Sequence, residues 1–192
     1  MPALHIRKRL RTALLLGAVA LAVWGARPAA AVDPGREVQE IGRWIRERQE
    51  ELAPTPQGDP VWPVPGYTEV TSGYGLRLHP VLRRLRLHAG VDIGAPEGAP
   101  AVACLDGEVL VVASLPAYGQ IVVIDHGGRL ASVYAHLSGV AVREGERVTR
   151  GARVGSVGAT GQVTGPHLHF ELRHDGEPLD PAGLLDGLLW CE

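Results

Sequence analysis

Two short stretches of the chain carry residue types that bind metal ions. His88 and Asp92 lie four positions apart in HAGVD, and His167 and His169 lie two apart in GPHLHFE. Two imidazoles and one carboxylate around Zn²⁺ leave an open coordination position, as in catalytic rather than structural zinc sites. An open position of this kind holds the water that a hydrolase activates. The two stretches therefore predict a hydrolytic zinc site.

The spacing of these residues sets conditions on the backbone. In a strand, His167 and His169 share a face and lie about 6.5 Å apart, so we expect one to bind the ion and the other to act on the water. On a flat strand His88 and Asp92 would lie about 13 Å apart. Both reach one ion only if the chain bends, and we expect Gly90 and the Gly-Ala-Pro stretch at 94–96 to provide the bend.

The composition favours short strands joined by tight turns. Hydrophobic residues make up 45% of the chain but aromatic ones only 5%, and there are 25 Gly and 15 Pro. Apolar runs at 108–113 and 120–124 predict strands, and the Gly-Gly turn at 127–128 predicts a hairpin into 130–134. The predicted fold class is mainly β: a compact antiparallel β-sheet domain with a zinc groove, plus a short N-terminal helix.

Residues 1–31 are typical of an export signal. Basic residues at positions 7–11 precede an apolar stretch of eleven residues at 14–24, and three alanines at 29–31 form a cleavage site. A membrane span needs about 20 apolar residues, so the alternative of an uncleaved anchor is less favoured. We expect an exported protein, periplasmic or extracellular and associated with the cell wall, with no integral membrane segment after cleavage.

The net charge bears on which molecules the protein binds, and the cysteine content on whether it contains a disulfide. All 21 acidic residues but only 14 of the 19 basic ones follow residue 31, which leaves a net charge of −7. This balance gives no general attraction to nucleic acid. An exported chain permits a disulfide between Cys104 and Cys191, although a buried thiol at Cys104 is the alternative.

Residues 32–60 predict a helix and a proline-rich linker, and residues 61–192 form the predicted zinc domain. Within 34–53, apolar residues recur at helical spacing, and prolines at 54–60 end the pattern. The apolar stripe either packs on the main domain or binds a protein partner. Its members are Val38, Ile41, Trp44, Ile45 and Leu52.

Four stretches, in this order, make the chain resemble the lysostaphin/LytM-type zinc endopeptidases, which cleave peptide bonds in bacterial peptidoglycan. They are TSGYGLRLHP at 71–80, HAGVD at 88–92, YAHLS at 134–138 and GPHLHFE at 165–171. The resemblance covers roughly residues 62–183, and the helix lies outside it. It implies one Zn²⁺ per chain and peptidoglycan peptides as the substrate.

The resemblance also implies roles for particular residues. His88, Asp92 and His169 match the zinc ligands. His167 matches the general base, for which an imidazole is suited near neutral pH. His136 matches a second catalytic histidine that supports the water or the oxyanion, although the residues around it alone would favour a surface position.

Other polar residues near these stretches have two interpretations. Arg77 and His79 could line the groove and bind a substrate carbonyl or carboxylate, or could belong to a turn. Glu171 shares a strand face with His169 and could orient it, or could be a surface carboxylate. For His126 we expect a turn, and for His174 the surface.

The functional prediction is a zinc-dependent endopeptidase acting on peptidoglycan. The alternative is a non-catalytic cell-wall binder or an activator of another wall hydrolase, and the presence of all five site residues disfavours it. A lipoyl or biotin carrier is excluded because the only lysine, Lys8, lies inside the predicted signal.

Overall fold

The computed structural model describes residues 32–49, 58–78, 83 and 85–183. Within these ranges the chain forms one helix, α1 (Pro34–Arg48), and thirteen strands. The strands are β1 (Val70–Ser72), β2 (Gly75–Leu78), β3 (Leu85–His88), β4 (Val91–Gly94), β5 (Pro100–Val102), β6 (Gly107–Leu115), β7 (Gly119–Gly127), β8 (Leu130–Leu137), β9 (Gly139–Val140), β10 (Arg147–Val148), β11 (Arg153–Ser156), β12 (His167–His174) and β13 (Glu177–Leu179).

The main sheet is antiparallel and contains eight of the strands. Its order is β1-β4-β12-β8-β7-β6-β10, and β13 pairs with β12. The predicted hairpin forms between β7 and β8, where Asp125 pairs with Ala131 and Gly127 with Leu130. Two smaller sheets, β5-β11-β9 and β2-β3, complete the fold. The predicted fold class, mainly β with one short helix, is confirmed.

Strand alternation gives the main sheet two different faces. Val122 and Ile124 of β7 point into the larger core, whereas Ile121 and Val123 contribute to a second core that includes α1. In β12, the even-numbered residues Leu168, Phe170 and Leu172 belong to the larger core. Because successive side chains alternate, the odd-numbered residues at 167–173 lie on the face that carries α1.

Helix α1 begins where the sequence predicts. The Asp33 side chain accepts a hydrogen bond from the Gly35 N–H at 3.1 Å, as an N-cap residue does, and Pro34 occupies the first turn. Ile41 and Ile45 are fully buried in a core that they share with residues of β6, β7 and β8. Of the two predicted places for the apolar stripe, the structure therefore shows packing on the sheet. The described helix ends at Arg48, and residues 50–53 of the predicted helix, with Leu52, lie outside the described residues.

Truncating Ile45 tests how much this packing contributes. Because its side chain is fully buried, we expect Ile45→Ala to lower the free energy of unfolding by about 2–5 kcal/mol. Arg48→Ala, at an exposed position of the same helix, is the control and should change it by less than about 0.5 kcal/mol. Urea denaturation measures both, and equal small effects would contradict the docking of α1.

Candidate metal centre

Three strands bring His88, Asp92 and His169 together. Asp92 in β4 pairs directly with His169 in β12, and His88 is the last residue of β3. The His88 Nε2 atom lies 3.1 Å from both Asp92 Oδ1 and His169 Nδ1, and the last two atoms are 2.9 Å apart. The chain bends between β3 and β4, as the sequence predicts, so residues four apart meet at one point.

Gly90 is needed at this bend because another strand passes close to it. A Cβ atom at position 90 would lie 2.1 Å from the Phe170 carbonyl oxygen. Only glycine lets β4 approach β12 this closely. The reason for Gly90 is therefore interstrand packing as well as the predicted bend.

In both His88 and His169, the ring nitrogen that points away from the three donor atoms makes a hydrogen bond. His88 Nδ1 lies 2.7 Å from the Gly73 carbonyl oxygen, which can only accept, so this nitrogen carries the proton. His169 Nε2 lies 3.0 Å from Glu171 Oε1 and donates to it. The lone pairs of His88 Nε2 and His169 Nδ1 therefore point at each other and at the Asp92 carboxylate.

This donor set fits a Zn²⁺ ion. Tetrahedral zinc sites have ligand distances of about 2.0–2.2 Å, which place the ligand atoms about 3.3–3.6 Å from one another. The three observed separations of 3.1, 3.1 and 2.9 Å are a few tenths of an ångström shorter. Metal-binding histidines also donate their other N–H to a carbonyl or carboxylate, as His88 and His169 do.

The charges around the centre are strongly coupled. Burial disfavours the charged form of Asp92, but hydrogen bonds with His169 and His88 hold the pKa of its carboxyl well below the usual range. Burial likewise opposes protonation of His169, yet hydrogen bonds to Asp92 and Glu171 raise its pKa to about 9. A proton on His169 and a metal ion thus compete for the same place between the donors.

Glu171 is completely buried, so it is not a surface carboxylate. Burial raises its pKa, but the charge of Arg173 and the hydrogen bond with His169 outweigh this effect and lower the pKa to about 2. Arg173 donates from Nε to Glu171 Oε2 at 2.6 Å. Of the two interpretations of Glu171, the geometry therefore supports the one in which it orients His169.

His136 and His167 lie beside the three donors. Their ring centroids are 4.8 Å apart, and His167 Nε2 is 3.6 Å from Asp92 Oδ1. His136 Nδ1 lies 2.8 Å from the Thr160 carbonyl oxygen and His167 Nδ1 lies 2.9 Å from that of Gly165, so each Nδ1 donates and each Nε2 is available as an acceptor.

His136 is held in an unusual backbone conformation. It has a φ of 61°, in the left-handed region that non-glycine residues seldom occupy. Its N–H donates to the Tyr118 carbonyl at 2.9 Å, which fixes the conformation. His136 is also buried, whereas its sequence context alone favoured a surface position. Burial and the charges of His169 and His167 lower its pKa to about 3.

The two candidate groove residues have different outcomes. The Arg77 Nη2 atom is 3.6 Å from Asp92 Oδ2, so this guanidinium reaches the metal centre from β2 and remains partly exposed. His79 lies outside the described residues. A role for either in binding substrate stays a prediction.

Two further histidines lie away from the centre. His126 was expected in a turn, but it lies at the end of β7 and is buried. Its Nε2 contacts Ser132 Oγ at 2.8 Å and Cys104 Sγ at 3.6 Å, so it belongs to a polar cluster inside the core. His174 is exposed, as expected. Cys104 is buried, and the predicted partner Cys191 lies outside the described residues.

Sequence reasoning missed Tyr118 and Arg173 in this part of the fold. The Tyr118 hydroxyl donates to Glu171 Oε1 at 2.5 Å, and its ring meets that of His169 edge-on. Tyr118 is 51 positions before His169, so no local pattern connects them. Arg173 could have been found, because it continues the alternation of His167, His169 and Glu171.

Comparison with known proteins identifies the family. Residues 86–181, half of the chain, match the model of peptidase family M23. The chain belongs to this family. The matched range contains all five histidine and aspartate residues of the site, whereas α1 lies before it.

Two curated relatives are 42% identical to the chain. One is the DD-carboxypeptidase/endopeptidase Mpg of Neisseria meningitidis, over 118 residues, 62% of this chain and 27% of the relative. The other is the peptidoglycan DD-endopeptidase ShyA of Vibrio cholerae, over 120 residues, 62% of this chain and 28% of the relative. The chain thus spans about a quarter of the length of these relatives.

Solved structures agree with the fold. A zinc-containing peptidase from Vibrio cholerae is 39% identical, with a TM-score of 0.60 over 67% of this chain and 40% of that one. The catalytic domain of lysostaphin from Staphylococcus simulans is 27% identical, with a TM-score of 0.56 over 62% of this chain and 92% of that domain. The resemblance to the lysostaphin/LytM-type family is confirmed. In the described part of the chain, no helix is long and apolar enough to cross a membrane.

The convergent donor set predicts stabilisation by zinc. An ion that binds only the folded state adds RT ln(1 + [Zn²⁺]/Kd), about 2.7 kcal/mol at 100 times Kd. We expect Zn²⁺ to raise the melting temperature of metal-depleted protein, and His88→Ala to abolish the rise. His174→Ala, at an exposed position, is the control and should keep it. An unchanged rise in His88→Ala would contradict the assignment of His88 as a ligand.

Proposed function

We propose that this chain is a zinc-dependent endopeptidase that hydrolyses peptide bonds in bacterial peptidoglycan. The observation that carries the proposal is the meeting of three metal-binding donors with two further imidazoles whose free Nε2 atoms lie beside them. The peptidoglycan DD-endopeptidase activity named for its relatives supports the substrate class. His88, Asp92 and His169 would hold one Zn²⁺ per chain.

The metal ion, once bound, would supply Lewis-acid activation of water and of the scissile carbonyl. His167 then acts as the general base, because its Nδ1–H is donated to the Gly165 carbonyl and its Nε2 lone pair is free to take a proton. His136 has the same arrangement with the Thr160 carbonyl, so its Nε2 accepts a hydrogen bond and orients the nucleophile. Both rings are fixed before substrate arrives.

The alternative, a non-catalytic wall binder or activator, requires fewer of these features. Binding alone needs neither a general base nor two imidazoles with fixed tautomers. All five side chains are present and converge on one place, which favours catalysis.

Export of the protein is part of the proposal. The basic, apolar and small-residue segments within 1–31 support a cleavable signal, and peptidoglycan as a substrate requires a location outside the cytoplasm. Residues 1–31 lie outside the described residues. The boundaries 1–31, 32–60 and 61–192 remain predictions from the sequence.

Digestion of purified sacculi tests the activity. Zinc-loaded protein should release soluble fragments whose masses show a cleaved peptide cross-link, and metal-depleted protein should release none. Defined cross-linked muropeptides then identify the bond by mass spectrometry. If the zinc-loaded protein binds sacculi and cleaves neither substrate, the non-catalytic alternative is correct.

The role of His167 gives a separate prediction. His167→Ala should keep stoichiometric zinc, because the three donors remain, and should lower kcat about 10²–10⁴-fold, the usual contribution of a general base. Zinc content by mass spectrometry and turnover of a muropeptide measure the two effects. His174→Ala, on the same strand but exposed, is the matched control. A kcat within twofold of the unsubstituted protein would show that another group takes the proton.

A further inference from the structure

A row of polar side chains leads from the metal centre to the buried side of α1. His167, His169, Glu171 and Arg173 are the odd-numbered residues of β12 and lie on one face of the sheet. His167 is partly exposed, whereas the Glu171 and Arg173 side chains have no exposed surface. The row therefore begins at the open groove and ends under the helix.

Glu171 is the junction of this row. Its carboxylate accepts from His169 Nε2 at 3.0 Å, from the Tyr118 hydroxyl at 2.5 Å and from Arg173 Nε at 2.6 Å. Three donors leave a buried carboxylate little freedom to rotate. The position of Oε1 in turn sets the ring orientation and tautomer of His169, and so the direction of Nδ1.

The partners of Glu171 are fixed by α1. Arg173 Nη1 donates to the Val38 carbonyl of the helix at 2.8 Å and to the Gly176 carbonyl at 3.0 Å. The Glu37 carboxylate of the helix accepts from the N–H groups of Ala117 and Tyr118, at 3.0 and 3.1 Å. The helix therefore holds the Arg173 side chain directly and the Tyr118 side chain through its main chain.

The helix and the β12–β13 turn are packed without space between them. A Cβ atom at Gly42 would lie 2.7 Å from the Gly176 carbonyl oxygen and 3.2 Å from Arg173 Nη1. A shift of α1 would therefore move Arg173, and a buried guanidinium that loses its acceptor is costly.

We infer that α1 is a positioning element of the metal centre. The helix fixes Tyr118 through Glu37, and it fixes Arg173 through the Val38 carbonyl. Tyr118 and Arg173 in turn hold the Glu171 carboxylate. Glu171 then orients the His169 ring. The inference rests on the proposed zinc site. Because α1 precedes the range matched by the family model, this support comes from a part of the chain outside the family domain.

Zinc affinity measured by chelator competition tests the inference. Loss of a group that supports a metal ligand typically weakens metal affinity about 10–100-fold, and we expect this for Glu171→Gln. Glu37 lies two contacts beyond Glu171, through Tyr118, and we expect Glu37→Gln to lower the zinc affinity at least threefold. Glu47→Gln, the same substitution at an exposed position of α1, should leave the affinity unchanged.

Two further measurements separate positioning from general stability. Ile45→Ala removes a packing contact of α1 but leaves the hydrogen bonds of Glu37 and the Val38 carbonyl in place. We therefore expect its zinc affinity to stay within twofold of that of the unsubstituted protein. The visible absorption of the Co²⁺-substituted protein reports ligand geometry directly, and it should change in Glu37→Gln but not in Ile45→Ala. In a double-mutant cycle, Glu37→Gln and Tyr118→Phe should be non-additive because Glu37 acts through Tyr118.

The outcomes are distinct. If the unsubstituted protein binds no zinc, the proposed function fails. If it binds zinc and Glu171→Gln weakens binding while Glu37→Gln matches Glu47→Gln in affinity and Co²⁺ spectrum, only the role of α1 is overturned. If Glu37→Gln does not fold, Gly42→Ala decides: it moves α1 away from Arg173, and an unchanged affinity and spectrum would overturn the inference.

Discussion

The pairing of β4 with β12 is the constraint on which the rest of the site depends. Its register sets Asp92 opposite His169, and no local sequence pattern could hold these two side chains 2.9 Å apart. The approach requires a residue without a Cβ atom at position 90, because the Phe170 carbonyl occupies that space. A slip of one residue would turn every ligand of one strand to the opposite face.

The strand register brings the donors together, but the buried charges of the site must also be balanced. Asp92 and Glu171 bring two negative charges into a largely buried place, and Arg173 returns one positive charge. Buried charges are tolerated only when they are paired and hydrogen-bonded. Among these three groups one negative charge is left over, which a proton on His169 or a metal ion offsets. Arg77 adds only a partly exposed contact with Asp92, at 3.6 Å. Without Arg173, the buried Glu171 carboxylate would add a second uncompensated negative charge. Its ion pair with Arg173 is therefore needed in addition to the cation at the donors.

The sequence was most informative where function depends on short spacing. Four positions between His88 and Asp92, and two between His167 and His169, are visible without a structure, and so are the β6–β8 strands and the start of α1. Tyr118 was not visible, because its contact with Glu171 arises from the fold and its main chain is held by Glu37, 81 positions earlier. The burial of His126 was missed for a similar reason: its Asp-His-Gly-Gly context is typical of a turn, but its partners are Cys104, in the bend between β5 and β6, and Ser132 in β8.

The four histidines of the site differ in how their tautomers are fixed. This difference shows which of the four rings other parts of the chain can reorient. His88, His136 and His167 each donate to a backbone carbonyl, of Gly73, Thr160 and Gly165 in turn. A carbonyl oxygen moves only if the main chain moves. His169 alone donates to a side chain, Glu171, whose own position depends on three donors. His169 also contributes a donor atom to the candidate metal site. Its orientation is therefore the one that residues outside the strands can alter, and the contacts that fix it lead to α1.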